Sequence, residues 1–131
     1  MECLDQWRTM RIAILGQQKF GKSVLEAFTG RGDTVAGVFC APDKAGGAPD
    51  PLRSTAESLG IPVHQLPSLR TAEAGDILRG MAVDLGVMAY VLQFVPQDLT
   101  SIPDHGTIQY HPSLLPAYRG PSAIKIGRAH V

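Results

Sequence analysis

RIAILGQQKFGKSVLEAFTGRGDTVAGVF, residues 11–39, decides the fold. Residues 11–15 form a short apolar run ending in Gly16, which reads as a buried strand. The next apolar side chains, Val24, Leu25 and Phe28, recur at helical spacing across residues 22–30, and Gly30 or Gly32 closes that helix. TVAGVF, residues 34–39, reads as a second strand. A strand, a helix and a strand in so short a span form a crossover unit, which joins two parallel strands.

The alternation continues along the chain. Residues 41–51 are a Pro/Gly/Asp-rich loop, 52–59 a short helix, and 61–64 a third strand. A loop over 67–71 leads to a helix at 72–81 and a fourth strand at 83–91. Residues 94–106 form a loop with one helical turn within 96–102, and TIQYH, residues 107–111, is a fifth strand. The expected fold is therefore α/β: a Rossmann-like, mostly parallel sheet with helices on both faces. No internal repeat and no second domain are visible.

Composition narrows the function. The chain has 131 residues, 44% hydrophobic and 18% charged, with a formal net charge of zero. That suits a soluble globular domain and removes the electrostatic argument for nucleic acid as the main partner. No apolar run reaches the length of a membrane span, and the polar start MECLDQWRTM has no signal-peptide core. Cys3 and Cys40 are far apart without metal-like spacing and read as unpaired thiols of a reducing cytoplasm. His64, His105 and His111 show no ligand spacing either, so no metal is expected.

GQQKFGKS, residues 16–23, fits the phosphate-loop pattern G-x-x-x-x-G-K-[ST] and stands between a strand and a helix. Yet Gln17, Gln18, Lys19 and Phe20 fill an interior that should be small and flexible. No later strand ends in a convincing magnesium-binding Asp: Asp84 precedes its run and Asp43 follows Pro42 in a loop. The preferred reading is a tight strand-to-helix turn at Gly16, with Phe20 packed beneath it. A nucleotide binder would hold magnesium-nucleotide and lose it on Lys22→Ala; neither is expected.

The chemistry gathers at HPSLLPAYRG, residues 111–120. Gln109 and His111 are two apart on one strand and share a face, at the carboxyl end, where open α/β sheets bind ligands. Pro112 biases His111 toward extended backbone. An imidazole can donate, accept or carry charge near neutral pH, and the Gln109 amide can donate to a developing oxyanion. Ser113, Leu114, Leu115 and Pro116 give a short loop with apolar walls. Leu92, Gln93, Phe94 and Val95 leave the fourth strand alongside it, and the two segments could hold a flat heteroaromatic ring.

GTIQYHPSLLPAYRGPSAI, residues 106–124, resembles the signature of the formyltransferases that use 10-formyltetrahydrofolate. MRIAILGQQKFG at 10–21, VAGVFCAPDK at 35–44, the later DPL at 50–52 and QFVP at 93–96 look most like the hydrolase domain of 10-formyltetrahydrofolate dehydrogenase. The resemblance implies an incomplete formyltransferase fold that transfers, or hydrolytically releases, the formyl group of 10-formyltetrahydrofolate, with folate as co-substrate. It implies His111 as the catalytic histidine and Ser113, Leu114, Leu115 and Pro116 as the folate loop. Gln93, Phe94 and Val95 match the segment lining the pterin pocket. Gln109 stands where the transferases carry an asparagine, which leans toward the dehydrogenase-like branch. The acceptor stays open among methionyl-tRNA, a small amine, a sugar-nucleotide amine and water.

The resemblance also implies an aspartate well downstream of the histidine. Asp98 and Asp104 precede the strand and do not match it. In an analogous triad, loss of the carboxylate costs about four decades in rate. The chain alone is therefore expected to be inactive, and a folate-binding module without chemistry is the alternative reading. The ends are read with this. Residues 1–9 are taken as an extension, because a strand starts directly after Met10. Residues 10–124 are taken as a truncated N-terminal folate-binding domain. Residues 125–131 are taken as an adapter-encoded tail: IGRAHV translates ATC GGA AGA GCA CAC GTC, a run of a common sequencing adapter whose next triplet is a stop. On that reading the fifth strand is left with an unpaired edge.

Overall fold

The computed structural model describes residues 9–110 and the short strand at 124–126. In β1 (Arg11–Gly16), Ile12 and Ile14 turn to one face of the sheet and Ala13 and Leu15 to the other, all buried. A strand apolar on both faces needs cover on both, and the helices supply it. α1 (Gln18–Arg31) and α2 (Pro51–Ser58) lay Val24, Leu25, Leu52 and Ala56 against Ile12, Ile14 and Val38. α3 (Ala72–Met81) and α4 (Gln97–Thr100) lay Ala74, Leu78, Met81 and Leu99 against Ala13, Leu15 and Phe39.

The remaining strands are β2 (Thr34–Cys40), β3 (Val63–Gln65), β4 (Leu85–Ala89), β5 (Thr107–Tyr110) and β6 (Ile124–Ile126). They form one sheet in the order β3-β2-β1-β4-β5-β6. The first five run parallel, and β6 returns antiparallel beside β5. This is the expected Rossmann-like sheet with helices on both faces.

Three expectations need correction. The fifth strand has no open edge: residues 124–126 pair with it, Ile108 opposite Ile126 and Gln109 opposite Lys125. Its backbone groups thereby find partners that an edge strand lacks. The fourth strand ends at Ala89 rather than at residue 91, because Tyr90 is left-handed at φ 59° and turns the chain out of the sheet. α1 starts at Gln18, four residues before its apolar spacing begins; its close at Gly32, left-handed at φ 97°, is as expected.

The early start of α1 depends on a residue far away in sequence. Gln18, itself left-handed at φ 67°, donates its backbone N–H to both carboxylate oxygens of Asp50 at 2.9 Å. The same carboxylate caps α2, accepting from Leu52 N–H at 2.9 Å, with Pro51 in the first helical turn. One side chain thus satisfies the opening of two helices. Asp50→Ala should lower unfolding stability by about 2 kcal/mol, whereas Asp50→Asn retains most of it. Urea denaturation of the two variants checks this.

The amino ends of the strands are tied by charged groups. Arg11 donates its guanidinium N–H groups to the carbonyls of Met81 and Ala82, and its backbone N–H to Asp84. Buried Asp33 accepts from Met10 N–H at 2.9 Å and from Arg31 at 2.7 Å. Burial pushes the Asp33 carboxyl upward, but the Arg31 and Met10 hydrogen bonds outweigh it, and the net shift is downward. A carboxyl lowered by folding contributes stability that is complete above the ordinary carboxylate range and fades as pH falls through the lower native value. Asp33→Asn should therefore lose stability at neutral pH and show a flatter decline on acidification. Urea midpoints from neutral pH down to about pH 3, below the unperturbed carboxyl value, test this.

Candidate active site

The parallel strands deliver their carboxyl ends together. Gly16 lies beside Ala89, and Gln109 is the neighbour of Met88. Gly16 is needed for space: a Cβ there would stand 2.0 Å from the Ala89 carbonyl oxygen. From Ala89 the chain leaves β4 through left-handed Tyr90. Val91 and Val95 then pack into the core beneath α3, while Tyr90, Leu92 and Phe94 face outward, 43%, 63% and 65% exposed. Three large apolar side chains exposed at alternate positions at this end of an α/β sheet make it the candidate binding surface.

Each of the three lines a different hollow. Phe94 borders one of about 400 Å³ with Arg70, Thr71, Arg79 and Asp98. Leu92 borders another of about 560 Å³ with Gln17, Gln18, Asp43, Lys44 and Asp50. Tyr90 borders a third of about 390 Å³ with Lys19, Phe20 and Pro51.

The candidate residues are placed differently from one another. Phe94 is open to solvent, with the Arg70 guanidinium 5.2 Å from its ring centre, a cation–π distance. Gln93 is half-buried and donates its side-chain N–H to the Leu66 carbonyl at 2.7 Å. Val95 packs inward. Gln109, half-buried on β5, lies on the strand next to β4, so its strand end and the 93–95 segment share one end of the sheet. His111, Ser113, Leu114, Leu115 and Pro116 lie outside the described residues. Arg70 and Tyr90 escaped the sequence reading. The cue for Arg70 was its place in the loop that follows a strand; nothing local marked Tyr90.

GQQKFGKS holds no phosphate cradle. Phe20 packs against the cluster around Ile12, Ile14 and Leu25, Gln17 is buried, and the Asp50 carboxylate occupies the N–H of Gln18, where an anion would sit. Cys40, at the carboxyl end of β2, is buried. Burial, then the nearby Asp50 and Asp43 carboxylates, push its thiol up to about 12, so at neutral pH it is no nucleophile. Among the described residues, no group of three His, Cys, Asp or Glu side chains could hold a metal ion. Among the same residues, no helix is long and apolar enough to cross a membrane.

Comparison with known proteins agrees with this geometry. The family profile described as formyl transferase matches residues 10–129. The human mitochondrial 10-formyltetrahydrofolate dehydrogenase is 42% identical over 120 residues, covering 88% of this chain and 13% of that protein. A methionyl-tRNA formyltransferase of Rhizorhabdus wittichii is 36% identical over 121 residues, covering 88% of this chain and 39% of the relative. The chain thus spans a small part of the curated relatives it matches. Among solved structures, a phosphoribosylglycinamide formyltransferase from Anaplasma phagocytophilum superposes with a TM-score of 0.62 at 24% identity, over 88% of this chain and 56% of the other. A formyltetrahydrofolate deformylase from Pseudomonas syringae does so with a TM-score of 0.61 at 20% identity, over 87% and 39%. These two share its fold. With a family profile that matches residues 10–129, almost the whole sequence, the chain belongs to the formyl transferase family.

Proposed function

We propose that this chain binds 10-formyltetrahydrofolate at the carboxyl end of its sheet and takes part in transfer, or hydrolytic release, of the formyl group. The observation that carries this is the outward-facing row Tyr90, Leu92 and Phe94, beside the strand bearing Gln109, in a chain of this family. The relatives support it, being named for 10-formyltetrahydrofolate and for formyl transfer to methionyl-tRNA. The pterin ring lies between residues 93–95 and the Ser113–Pro116 segment. A nucleophile attacks the formyl carbon, and the carbonyl electrons move onto oxygen. The oxyanion is held by His111 with Gln109 as helper; the folate N10 then leaves once protonated. An amine acceptor, small or on methionyl-tRNA, gives formylation, and water gives hydrolysis. Gln109 in the asparagine position favours water. No metal takes part in this chemistry, and the reading places it in the cytoplasm.

A folate-binding chain without turnover is the second reading. Folinic acid, a stable formylated folate, tests the shared element. Its titration should shift the backbone amides of residues 90–95 and 109 saturably. Shifts confined elsewhere, or none, would overturn the proposal. Formate release from 10-formyltetrahydrofolate then separates the two readings.

A further inference from the structure

β3 and β4 are not neighbours; β2 and β1 lie between them. The loops that leave them nevertheless meet above the carboxyl edge of the sheet. The loop after β3 sends Leu69 into the core beneath α3, with Leu66 packed against the same cluster. The segment after β4 sends Val91 and Val95 into that cluster as well. Between these anchors, Gln93 donates to the Leu66 carbonyl at 2.7 Å, and the Arg70 guanidinium lies 5.2 Å from the Phe94 ring centre. These two contacts join the ligand-facing segment to a loop from the far edge strand. Tyr90 is left-handed and the exposed side chains gain little from the core, so local preference alone does not order residues 90–94.

We propose that Gln93 is a positioning residue: through the Leu66 carbonyl it clamps the two loops together and presents Phe94 to the pterin ring. This rests on the function proposed above and changes one assignment within it. Gln93 acts through the protein's own backbone; its side-chain N–H is not a folate contact. A preordered wall binds tighter, because the ordering cost is met before the ligand arrives.

The test uses Gln93→Leu, which keeps bulk and removes the donor, and Gln93→Lys, which restores a donor of similar reach. Amide hydrogen exchange is read on the ligand-free chain, and folinic acid affinity on the same samples. Gln93→Leu should speed exchange in residues 66–70 and 91–95 together and weaken affinity about tenfold, the worth of one such hydrogen bond. Gln93→Lys should restore both. The proposal is overturned if Gln93→Leu leaves exchange in residues 66–70 unchanged, or if affinity falls in both variants alike, the mark of a direct ligand contact. Failure of the unaltered chain to bind folinic acid would instead overturn the proposed function, and it is seen before any variant is made.

Discussion

Gly16→Ala should destabilise the fold by about 3 kcal/mol or more, the upper end of what overpacking costs. The added methyl carbon would stand 2.0 Å from the Ala89 carbonyl oxygen and 2.9 Å from its carbon, well inside van der Waals contact. Neither atom can swing aside as the end of a flexible side chain would, because both belong to the backbone of β4. By contrast, a methyl at Gly37 meets the Met81 thioether tip, which can rotate away, and should cost far less. The clash at Gly16 falls on the register pair Gly16–Ala89, so relief means parting the two central strands at their carboxyl ends. Tyr90 and the segment beyond it hang from that point, and the proposed ligand surface moves with it. Thermal unfolding should show a fall of about 10 °C or more. A folded variant with an unchanged midpoint would show that β1 and β4 stand farther apart than described.

His111→Ala has the largest effect expected on chemistry. In a form of the protein that turns over 10-formyltetrahydrofolate, kcat should fall by about three to four decades while folate affinity stays within about twofold. The split follows from the proposed roles. The imidazole interacts with charge that exists only once the nucleophile has added, so it contributes to the transition state and not to the bound substrate. On the proposed reading the pterin ring is held by other residues, Phe94 among them. Single-turnover kinetics beside equilibrium binding of folinic acid would show this. Equal losses in rate and affinity would mean that His111 is a binding residue, and retained turnover would remove it from the mechanism.

What was legible in the sequence follows the range of the interactions concerned. α3 spans Ala72–Met81 as its spacing predicts, because its buried positions, Ala74, Leu78 and Met81, repeat at helical intervals within the element. The parallel order of the strands follows from crossover length in the same local way. The start of α1 was not legible, since the Asp50 carboxylate, 32 positions away, holds the left-handed Gln18 at the helix entry. The true end of β4 was hidden in Tyr90, whose type gives no hint of a left-handed backbone. β6 was not legible because residues 125–131, read as a tail, were left out of the fold reasoning; Lys125 and Ile126 pair with β5. At the candidate site, the sequence singled out the 93–95 segment but not the direction of each side chain. Gln93 turned out to be spoken for by Leu66, and a carbonyl 27 positions earlier leaves no trace in local pattern.

The sheet order has a consequence for how the chain is made. Ile12 pairs with Val35 on one side and with Leu85 on the other. During synthesis, the first pairing can form soon after β2 emerges, closing a short loop. The second must wait until β4 has left the ribosome, and its loop is longer and slower to close. Throughout that interval β1, whose Ile12, Ala13, Ile14 and Leu15 are all buried in the finished fold, has one side unpaired in a nascent chain. Such an edge is prone to the wrong partners, another copy of itself included. Slow translation between residues 40 and 85 would lengthen that exposure, whereas rapid passage, or a chaperone that shields β1, would raise the yield of correctly assembled protein.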